Sequence, residues 1–324
     1  MMMVLKFLIS LTLLAAPVAA HAAPDAMGQV ETGSGASIYF ERYGNGPEVV
    51  LIPGRLFLPE LTSLASPDRT LILYDMRNRG LSKRVEDTAQ ITIMRDVEDL
   101  EALRQHFGAQ KVSLVGYSYL GLMVALYATQ HPDRVERLVQ IGPIPRKLGT
   151  AFPADQVAGS DSLSAEGKAA EAAWNALLAN FEKPDFKIDP KAGCAVFQLS
   201  SSYRLVGNPA NYKKVADTCQ YDNELLGALN RHFPALFGDL QKRDFPKASF
   251  TGLKQPVLTL HGTLDRNAPY GSGLEWATTF PNGRLVTVEG GAHQLWLDDP
   301  SILADIDGFL EGKWPTRAVR FGRD

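Results

Sequence analysis

The chain has 324 residues, of which 45% are hydrophobic, 21% charged and 9% aromatic, as is usual for a globular enzyme with one large domain or two small ones. Lys and Arg (33) nearly balance Asp and Glu (36), so the net charge of −3 provides neither a basic surplus for nucleic acid nor an acidic block typical of a disordered tail. Composition excludes those classes, and the motifs must indicate the function.

The first 22 residues have the pattern of a secretory signal. Lys6 precedes the apolar run Phe7–Ala16, and the small-residue site Ala20-His21-Ala22 follows it. We therefore expect residues 1–22 to be a signal peptide and the mature protein to be exported, to a periplasm or out of the cell, with no membrane span left. A retained N-terminal anchor is the less favoured alternative, because the run is about half of the ~20 residues that span a bilayer.

Six short apolar runs end in turn residues and predict buried strands. Their apolarity is continuous rather than alternating, as in strands that are covered on both faces. The stretch Gly28–Tyr43 before them is typical of an antiparallel hairpin with its turn near Ser34-Gly35. The six runs are Val49–Ile52, Leu71–Tyr74, Val112–Val115, Leu138–Ile141, Val257–Leu260 and Leu285–Val288.

Helical patterns lie between these runs, and the alternation predicts an α/β fold with a mostly parallel central sheet flanked by helices. The alternation stops between about residues 145 and 255, where the sequence is helical and partly rich in alanine. We interpret residues 145–255 as an inserted helical cap, and residues 23–144 and 256–324 as the core. The predicted core helices are Ile93–Phe107, Ser118–Gln130, Leu274–Thr279 and Ile302–Leu310.

Cys194 and Cys219 are the two cysteines of the chain, and both fall in the predicted cap. In an exported protein we expect a disulfide between them, which would close a loop of about 26 residues. The alternative is a pair of buried thiols. Neither cysteine has the spacing of a metal ligand, and the sequence predicts no metal site.

The strongest catalytic signal surrounds Ser118, where the buried run Val112–Val115 turns into a helical pattern. Such a turn from strand to helix strains the serine backbone and exposes its hydroxyl at the carboxyl edge of a sheet. Gly116 fits this motif, but the position two residues after the serine, where glycine is expected, holds Leu120, and Gly121 follows. A serine that merely caps an ordinary helix is the structural alternative.

Two further residues complete the set that a serine nucleophile needs, namely a base and an acid that orients the base. Asp265 lies in the loop after the fifth run, and His293 lies after the sixth. The chain order Ser118, Asp265, His293, with each residue at the carboxyl end of a strand, is the order found in α/β-hydrolases. His261, which begins the acid loop, is interpreted as structural.

This pattern resembles the α/β-hydrolase superfamily, and within it the proline-iminopeptidase-like branch that also contains many carboxylesterases. The resemblance runs from about Ser37 to Trp314, with the cap as its weakest part. The segment Tyr74–Ser82 is similar to the family's D-x-R-G-x-G-x-S loop, with Asn78 in place of its first glycine. We interpret that segment as a structural turn that braces the serine.

The resemblance also implies an oxyanion hole after the first parallel strand. The family's loop there usually begins His-Gly, whereas this chain has Pro53-Gly54-Arg55. By resemblance, the donors are the backbone N–H groups of Arg55 and Tyr119. The Arg55 side chain has two interpretations, which the sequence leaves open: it binds an acidic group of the substrate, or it pairs with a carboxylate.

The expected function is hydrolysis of a small carboxylic ester through a Ser-His-Asp triad and an acyl-enzyme, without a cofactor. An aminopeptidase of the proline-iminopeptidase kind is the alternative, since Asp222 and Glu224 in the cap could bind a free amine of a peptide substrate. The Trp-Glu pair that iminopeptidases of the family carry early in the cap is Trp174-Asn175 here, which favours the ester.

A second alternative is a non-catalytic binding protein on the same fold, which the departures at Pro53 and Leu120 would suit. The intact serine, aspartate and histidine set argues against it. The oligomeric state stays open. The other candidate substrate contacts are Leu56, Tyr117 and Trp296.

Overall fold

The computed structural model describes residues 23–181, 189–221 and 231–321. Its centre is one eight-stranded sheet. The strands are β1 (Ala26–Glu31), β2 (Ser37–Tyr43), β3 (Glu48–Pro53), β4 (Arg69–Tyr74), β5 (Val112–Tyr117), β6 (Val135–Ile141), β7 (Val257–Gly262) and β8 (Gly283–Val288). They lie side by side in the order β1-β2-β4-β3-β5-β6-β7-β8.

Six of the eight strands are parallel. β1 pairs with β2 and β2 pairs with β4 in antiparallel registers, whereas all pairs among β3 to β8 are parallel. The parallel strands are the six predicted apolar runs, and β1 and β2 form the predicted hairpin. Because both faces of the parallel part are covered, every residue of β4, β5 and β7 is buried. The predicted α/β fold with a mostly parallel sheet is confirmed.

Helices cover the two faces of this sheet and build two apolar cores. Leu51 points into one core with residues of α1, α2, α5 and α6, while its neighbours Val50 and Ile52 point into the other with residues of α7 and α8. The helices are α1 (Ile93–His106), α2 (Tyr119–Gln130), α3 (Ala165–Phe181), α4 (Pro190–Leu205), α5 (Phe233–Gln241), α6 (Tyr270–Thr279), α7 (Leu295–Asp298) and α8 (Ser301–Leu310).

Three helix starts differ from the sequence prediction; α8 begins one residue early, at Ser301, and the other two have a local reason. α2 begins one residue later than predicted, because Ser118 has a positive φ of 59° and cannot be helical. α6 begins four residues earlier, at Tyr270 after the cap residue Pro269. The small residues Gly271 and Gly273 in its first turn concealed the helical pattern, since glycine weakens a helix on average.

The segment between β6 and β7 carries α3, α4 and α5, and its described residues include no strand. The rings of Trp174 and Phe197 pack α3 against α4, with their centroids 5.2 Å apart. α5 joins the segment to the core, because Asp239 accepts a hydrogen bond of 3.2 Å from the N–H of Ile93 at the start of α1. Within the described part of the chain, no helix is both long and apolar enough to cross a bilayer.

A disulfide links Cys194 in α4 to Cys219, with 5.8 Å between their Cα atoms. The predicted pairing is therefore present, and both cysteines lie in the segment between β6 and β7. Gln198, one turn after Cys194, forms hydrogen bonds with the segment just before Cys219. Its amide donates to the carbonyl of Ala216 at 2.9 Å, and its oxygen accepts from the hydroxyl of Thr218 at 3.2 Å.

Removing the disulfide should destabilise the protein. The crosslink closes a loop of about 26 residues, so Cys194→Ser with Cys219→Ser should lower the free energy of unfolding by about 3 kcal/mol. Guanidinium titration followed by circular dichroism measures this loss, and wild-type protein kept in a thiol reductant should show the same lowered midpoint. An unchanged midpoint in both samples would contradict the prediction.

Candidate active site

Ser118 stands at a sharp turn between β5 and α2. Its backbone has φ 59° and ψ −129°, a conformation that a residue with a side chain rarely adopts. Its N–H donates to the carbonyl of Ile141 at the end of β6, at 2.9 Å. The side chain is partly exposed, whereas Tyr117 and Tyr119 on either side are buried. The turn therefore presents one hydroxyl at the carboxyl edge of the sheet.

Close packing explains why the glycines around this turn differ from the usual motif. A Cβ on Gly116 would lie 2.4 Å from the carbonyl oxygen of Leu120, so β5 and α2 approach too closely for a side chain there. A Cβ on Gly121 would lie 2.9 Å from Cβ of Pro143. Leu120 itself fits because it faces a glycine, since a Cβ on Gly54 would lie 2.8 Å from Leu120 Cδ1. The leucine at the unusual position is thus accommodated by the loop after β3.

His293 and Asp265 form a buried pair beside this turn. His293 Nδ1 lies 2.6 Å from Asp265 Oδ2, and Asp265 Oδ1 accepts from the N–H groups of Asn267 and Ala268, each at 2.8 Å. Burial alone would raise the pKa of Asp265, but the charge on His293 and the hydrogen bonds from His261 and His293 hold the pKa below its usual range. Asp265 is therefore an anion that orients the imidazole.

The three candidate triad residues follow three different strands. Ser118 follows β5, Asp265 follows β7 and His293 follows β8, so all three lie at the edge where the parallel strands end. Gly142 makes room for the pair, because a Cβ there would lie 3.0 Å from His293 Nδ1 and 3.1 Å from Asp265 Oδ2. Both Ser118 and His293 line the same cavity. The arrangement can serve a serine nucleophile with a histidine base.

The loop after β3 lies against the start of α2, because a Cβ on Gly54 would lie 2.8 Å from Leu120 Cδ1. Gly54 has φ 83°, and Arg55–Phe57 then form one 3-10 turn. Arg55 and Tyr119 are the first residues of their helices, where backbone N–H groups point out along the helix axis. These two N–H groups are the predicted oxyanion donors, and the contact between Gly54 and Leu120 places their two loops side by side.

The Arg55 side chain pairs with carboxylates. Its Nε and Nη2 lie 3.1 and 2.7 Å from the two oxygens of Asp75, and its Nη1 lies 3.1 Å from Glu41. Burial by itself would lower the pKa of Arg55, but Asp75 and Glu41 raise it above its usual value. Of the two interpretations that the sequence left open, the structure has the pairing with a carboxylate. The pair fixes the loop that carries the Arg55 N–H.

The segment Tyr74–Ser82 is held in place by buried polar contacts. Arg77 donates to both oxygens of Asp99 in α1, at 2.8 and 2.6 Å, and both side chains are almost fully buried. Asn78 has φ 63°, a left-handed conformation that asparagine tolerates better than most residues, and its side chain accepts from the N–H of Val85 at 3.0 Å. The asparagine therefore meets the conformational demand that the family's glycine meets.

A cavity of about 760 Å³ opens above Ser118 and His293. Tyr117 lines it, whereas Leu56 and Trp296 are not among the described residues of its wall. Trp296 lies behind Tyr117, with their ring centroids 5.3 Å apart. The apolar members of the wall include Phe57, Leu120, Ile144, Leu148, Trp174, Phe197, Phe233 and Phe237.

Sequence reasoning missed the polar residues of this cavity. Glu171 in α3 and Arg204 in α4 form an ion pair on its wall, and Arg79 lies between the rings of Phe57 and Phe233, with its Cζ 5.1 and 4.7 Å from their centroids. These contacts join distant parts of the chain, so no local motif marks them. The predicted amine-binding candidates Asp222 and Glu224 lie outside the described residues.

No group of three or more His, Cys, Asp or Glu side chains that could hold a metal ion occurs in residues 23–181, 189–221 and 231–321. Ser118 shares its cavity with His293, which is paired with Asp265. These are the groups of acid-base chemistry.

Asp75→Asn tests the buried pair behind the oxyanion loop. This change leaves the buried Arg55 charge with the more exposed Glu41 as its remaining carboxylate, so it should lower the free energy of unfolding by about 3 kcal/mol and lower kcat as well. Glu41→Gln removes the more exposed partner and should cost less in both measurements. Guanidinium unfolding and steady-state kinetics measure the two effects. An Asp75→Asn protein as stable and active as wild type would contradict this account.

The chain is similar to several known hydrolases over part of its length. A proline iminopeptidase of Saccharolobus solfataricus is 31% identical over 114 residues, which cover 32% of this chain and 37% of that protein. A serine hydrolase of Mus musculus is 29% identical over 114 residues, which cover 33% of this chain and 39% of that protein. Each match therefore spans less than half of the relative's own length.

Solved structures and a family model extend the likeness to most of the chain. The crystal structure of an esterase from Rhodococcus sp. ECU1013 matches with a TM-score of 0.63 and 21% identity, and covers 88% of this chain and 98% of that one. At this identity the match shows the fold alone. The family model described as the alpha/beta hydrolase fold matches residues 52–300, which include all three candidate triad positions. The chain therefore belongs to the α/β-hydrolase family.

Proposed function

We propose that this protein is a serine hydrolase that cleaves carboxylic esters with a bulky apolar group. The observation that carries the proposal is the buried 2.6 Å contact between His293 and Asp265 beside the strained turn at Ser118. The apolar cavity above Ser118 supports an apolar substrate, because removing apolar surface from water drives binding. The volume of about 760 Å³ leaves room for an ester larger than the small one expected from sequence.

The reaction begins with attack of Ser118 Oγ on the ester carbonyl carbon. His293 accepts the hydroxyl proton, and Asp265 holds the imidazole through Nδ1 and stabilises the positive charge that it gains. The N–H groups of Arg55 and Tyr119 bind the oxyanion. As the C–O bond to the alcohol breaks, His293 gives its proton to the leaving oxygen, and Ser118 is left as an acyl ester.

Water completes the cycle by the same steps. His293 removes a proton from water as the water oxygen attacks the acyl carbon, and the oxyanion forms again on the two N–H groups. The intermediate collapses to the carboxylic acid, and the proton on His293 returns to Ser118 Oγ. No redox step occurs, and every proton that His293 takes is returned.

The aminopeptidase alternative draws support from the relatives named proline iminopeptidases. A free amine needs a carboxylate that is not already paired. Among the described residues of the cavity wall, Glu171 is the one carboxylate, and Arg204 occupies it. Asn175, which also lines the cavity, is neutral. The ester is therefore favoured, with Asp222 and Glu224 as the residues on which the alternative depends.

The enzyme is proposed to be exported. Residues 1–22 have the pattern of a signal peptide, and the disulfide between Cys194 and Cys219 suits an oxidising compartment, where such bonds form and persist. Extracellular and periplasmic locations are both compatible with these two features.

Substrate choice separates the ester from the peptide alternative. The mature protein should hydrolyse p-nitrophenyl esters, with kcat/KM rising from acetate to hexanoate as more apolar surface enters the cavity, by about fourfold for each CH₂ that becomes fully buried. Proline p-nitroanilide should stay uncleaved. Efficient cleavage of that anilide, together with loss of cleavage when its amine is acetylated, would establish the aminopeptidase instead.

A serine within β5 provides a matched control for the variant of the candidate nucleophile. Ser118→Ala should lower kcat by at least about 10⁴-fold, since removal of a triad nucleophile leaves only the oxyanion hole and binding. Ser113→Ala removes a hydroxyl of β5 that contacts Glu48 at 3.2 Å, away from the cavity, and should keep most of the activity. A Ser118→Ala protein with a tenth of wild-type activity would contradict the proposal, and folded wild type that hydrolyses neither substrate class would favour the binding protein.

A further inference from the structure

His261 is a second histidine beside Asp265. It lies one residue before the end of β7 and is completely buried. Its Nε2 is 3.3 Å from Asp265 Oδ2 and 3.0 Å from the carbonyl oxygen of Ala268. Oδ2 is also the oxygen that contacts His293. The two imidazoles therefore meet at one carboxylate oxygen.

The surroundings of the ring determine where its proton lies. Both neighbours of Nε2 are oxygen acceptors, so Nε2 must carry the proton and donate it. Among the described residues, Nδ1 has no hydrogen-bond partner, and it faces α6, where a Cβ on Gly273 would lie 2.7 Å away. A second proton on Nδ1 would be a buried donor without an acceptor, which is costly. Nε2 thus donates to the carbonyl of Ala268, and the same N–H lies beside the Asp265 carboxylate, with 3.3 Å between Nε2 and Oδ2.

This donor completes the set of contacts that fixes the carboxylate. Oδ1 accepts from two backbone N–H groups, of Asn267 and Ala268, at 2.8 Å each. Among the described residues, the nitrogens that contact Oδ2 are Nδ1 of His293 at 2.6 Å and Nε2 of His261 at 3.3 Å. Contacts on both oxygens oppose rotation of the carboxylate when His293 gains or loses a proton.

We propose that His261 is a positioning residue of the triad, which orients Asp265 so that Asp265 can orient His293. The inference rests on the proposed function, because it assigns His261 a part in the serine hydrolase reaction. It goes beyond a packing role, since a ring of the same shape without the Nε2 proton would place no N–H donor beside Asp265. Gly273 is part of this arrangement, because only a residue without a side chain leaves room for the His261 ring against α6.

The test compares the rate at which a fluorophosphonate modifies Ser118, a reaction that needs the triad but no particular substrate. His261→Gln can place an amide N–H near the position of Nε2, whereas His261→Leu removes the donor. We expect the His261→Leu protein to react about 100-fold more slowly than wild type, because a small displacement of the base has that effect. His261→Gln should stay within about fivefold, the cost of one imperfect hydrogen bond.

A glycine pair gives a second route that leaves the donor in the chain. Gly273→Ala should displace the ring of His261 and slow modification of Ser118. Gly308→Ala in α8 is the matched control, since a Cβ there meets no atom within 4 Å, and it should react like wild type. Circular dichroism of each protein establishes which variants are folded, and the comparison uses those.

A proton NMR spectrum measures a property that would not change if His261 only filled space. The far-downfield resonance of the proton between His293 and Asp265 should be present in wild type and His261→Gln, and lost or broadened in His261→Leu. Wild-type rates and an unchanged resonance in His261→Leu or Gly273→Ala would overturn the inference, as would a His261→Gln rate as low as that of His261→Leu. If wild type itself is not modified, the proposed function fails, and the resonance still decides the role of His261.

Discussion

The turn at Ser118 is the constraint on which the rest of the site depends. Ser118 is held at φ 59° between two close contacts. β5 approaches α2 too closely for a Cβ on Gly116, and α2 approaches Pro143, after β6, too closely for a Cβ on Gly121. The strain of such a conformation, of the order of 1–3 kcal/mol, must be offset by that packing. In return, one hydroxyl is exposed where a buried strand ends and a helix begins. The loops after β3 and β4 then take their positions around this rigid turn.

Buried charges hold those loops without entering the cavity. Arg55 joins the loop after β3 to Asp75, and Arg77 joins the segment after β4 to Asp99 in α1. A buried pair of this kind adds little stability compared with apolar packing, but losing one partner is costly, so each pair selects one arrangement of its loop. The backbone N–H of Arg55 is thereby positioned by the charge on its own side chain. The cavity wall remains largely apolar as a result.

Sequence patterns predicted the frame of the molecule because the frame depends on local properties. Runs such as Val112–Val115 are apolar on both sides of the strand, and that continuity marks a buried parallel sheet. The catalytic candidates follow such runs directly, so the juxtaposition of His293 and Asp265 could be expected from topology. Contacts between distant segments carry no such signal. The seating of Leu120 over Gly54 is one example, and only the folded chain shows why leucine is tolerated there.

The same limit applies to the polar residues of the site. The sequence offered two partners for the Arg55 side chain, and the choice depended on where β4 brings Asp75. Glu171 lies on α3 and Arg204 on α4, and their pairing decides whether the described wall of the cavity has a free carboxylate. The role of His261 likewise depends on the distance from its Nε2 to Asp265, which no motif specifies.

The central claim, that Ser118 forms the acyl-enzyme, is tested most directly by trapping that intermediate. Wild-type protein mixed with excess p-nitrophenyl hexanoate would be quenched in acid within the first turnover, digested and analysed by mass spectrometry. An acyl-enzyme on Ser118 should give a burst of p-nitrophenol and one hexanoyl group on the peptide that contains Ser118. Turnover with the acyl group on another residue, or with no acylated peptide when deacylation is slowed at low pH, would contradict it.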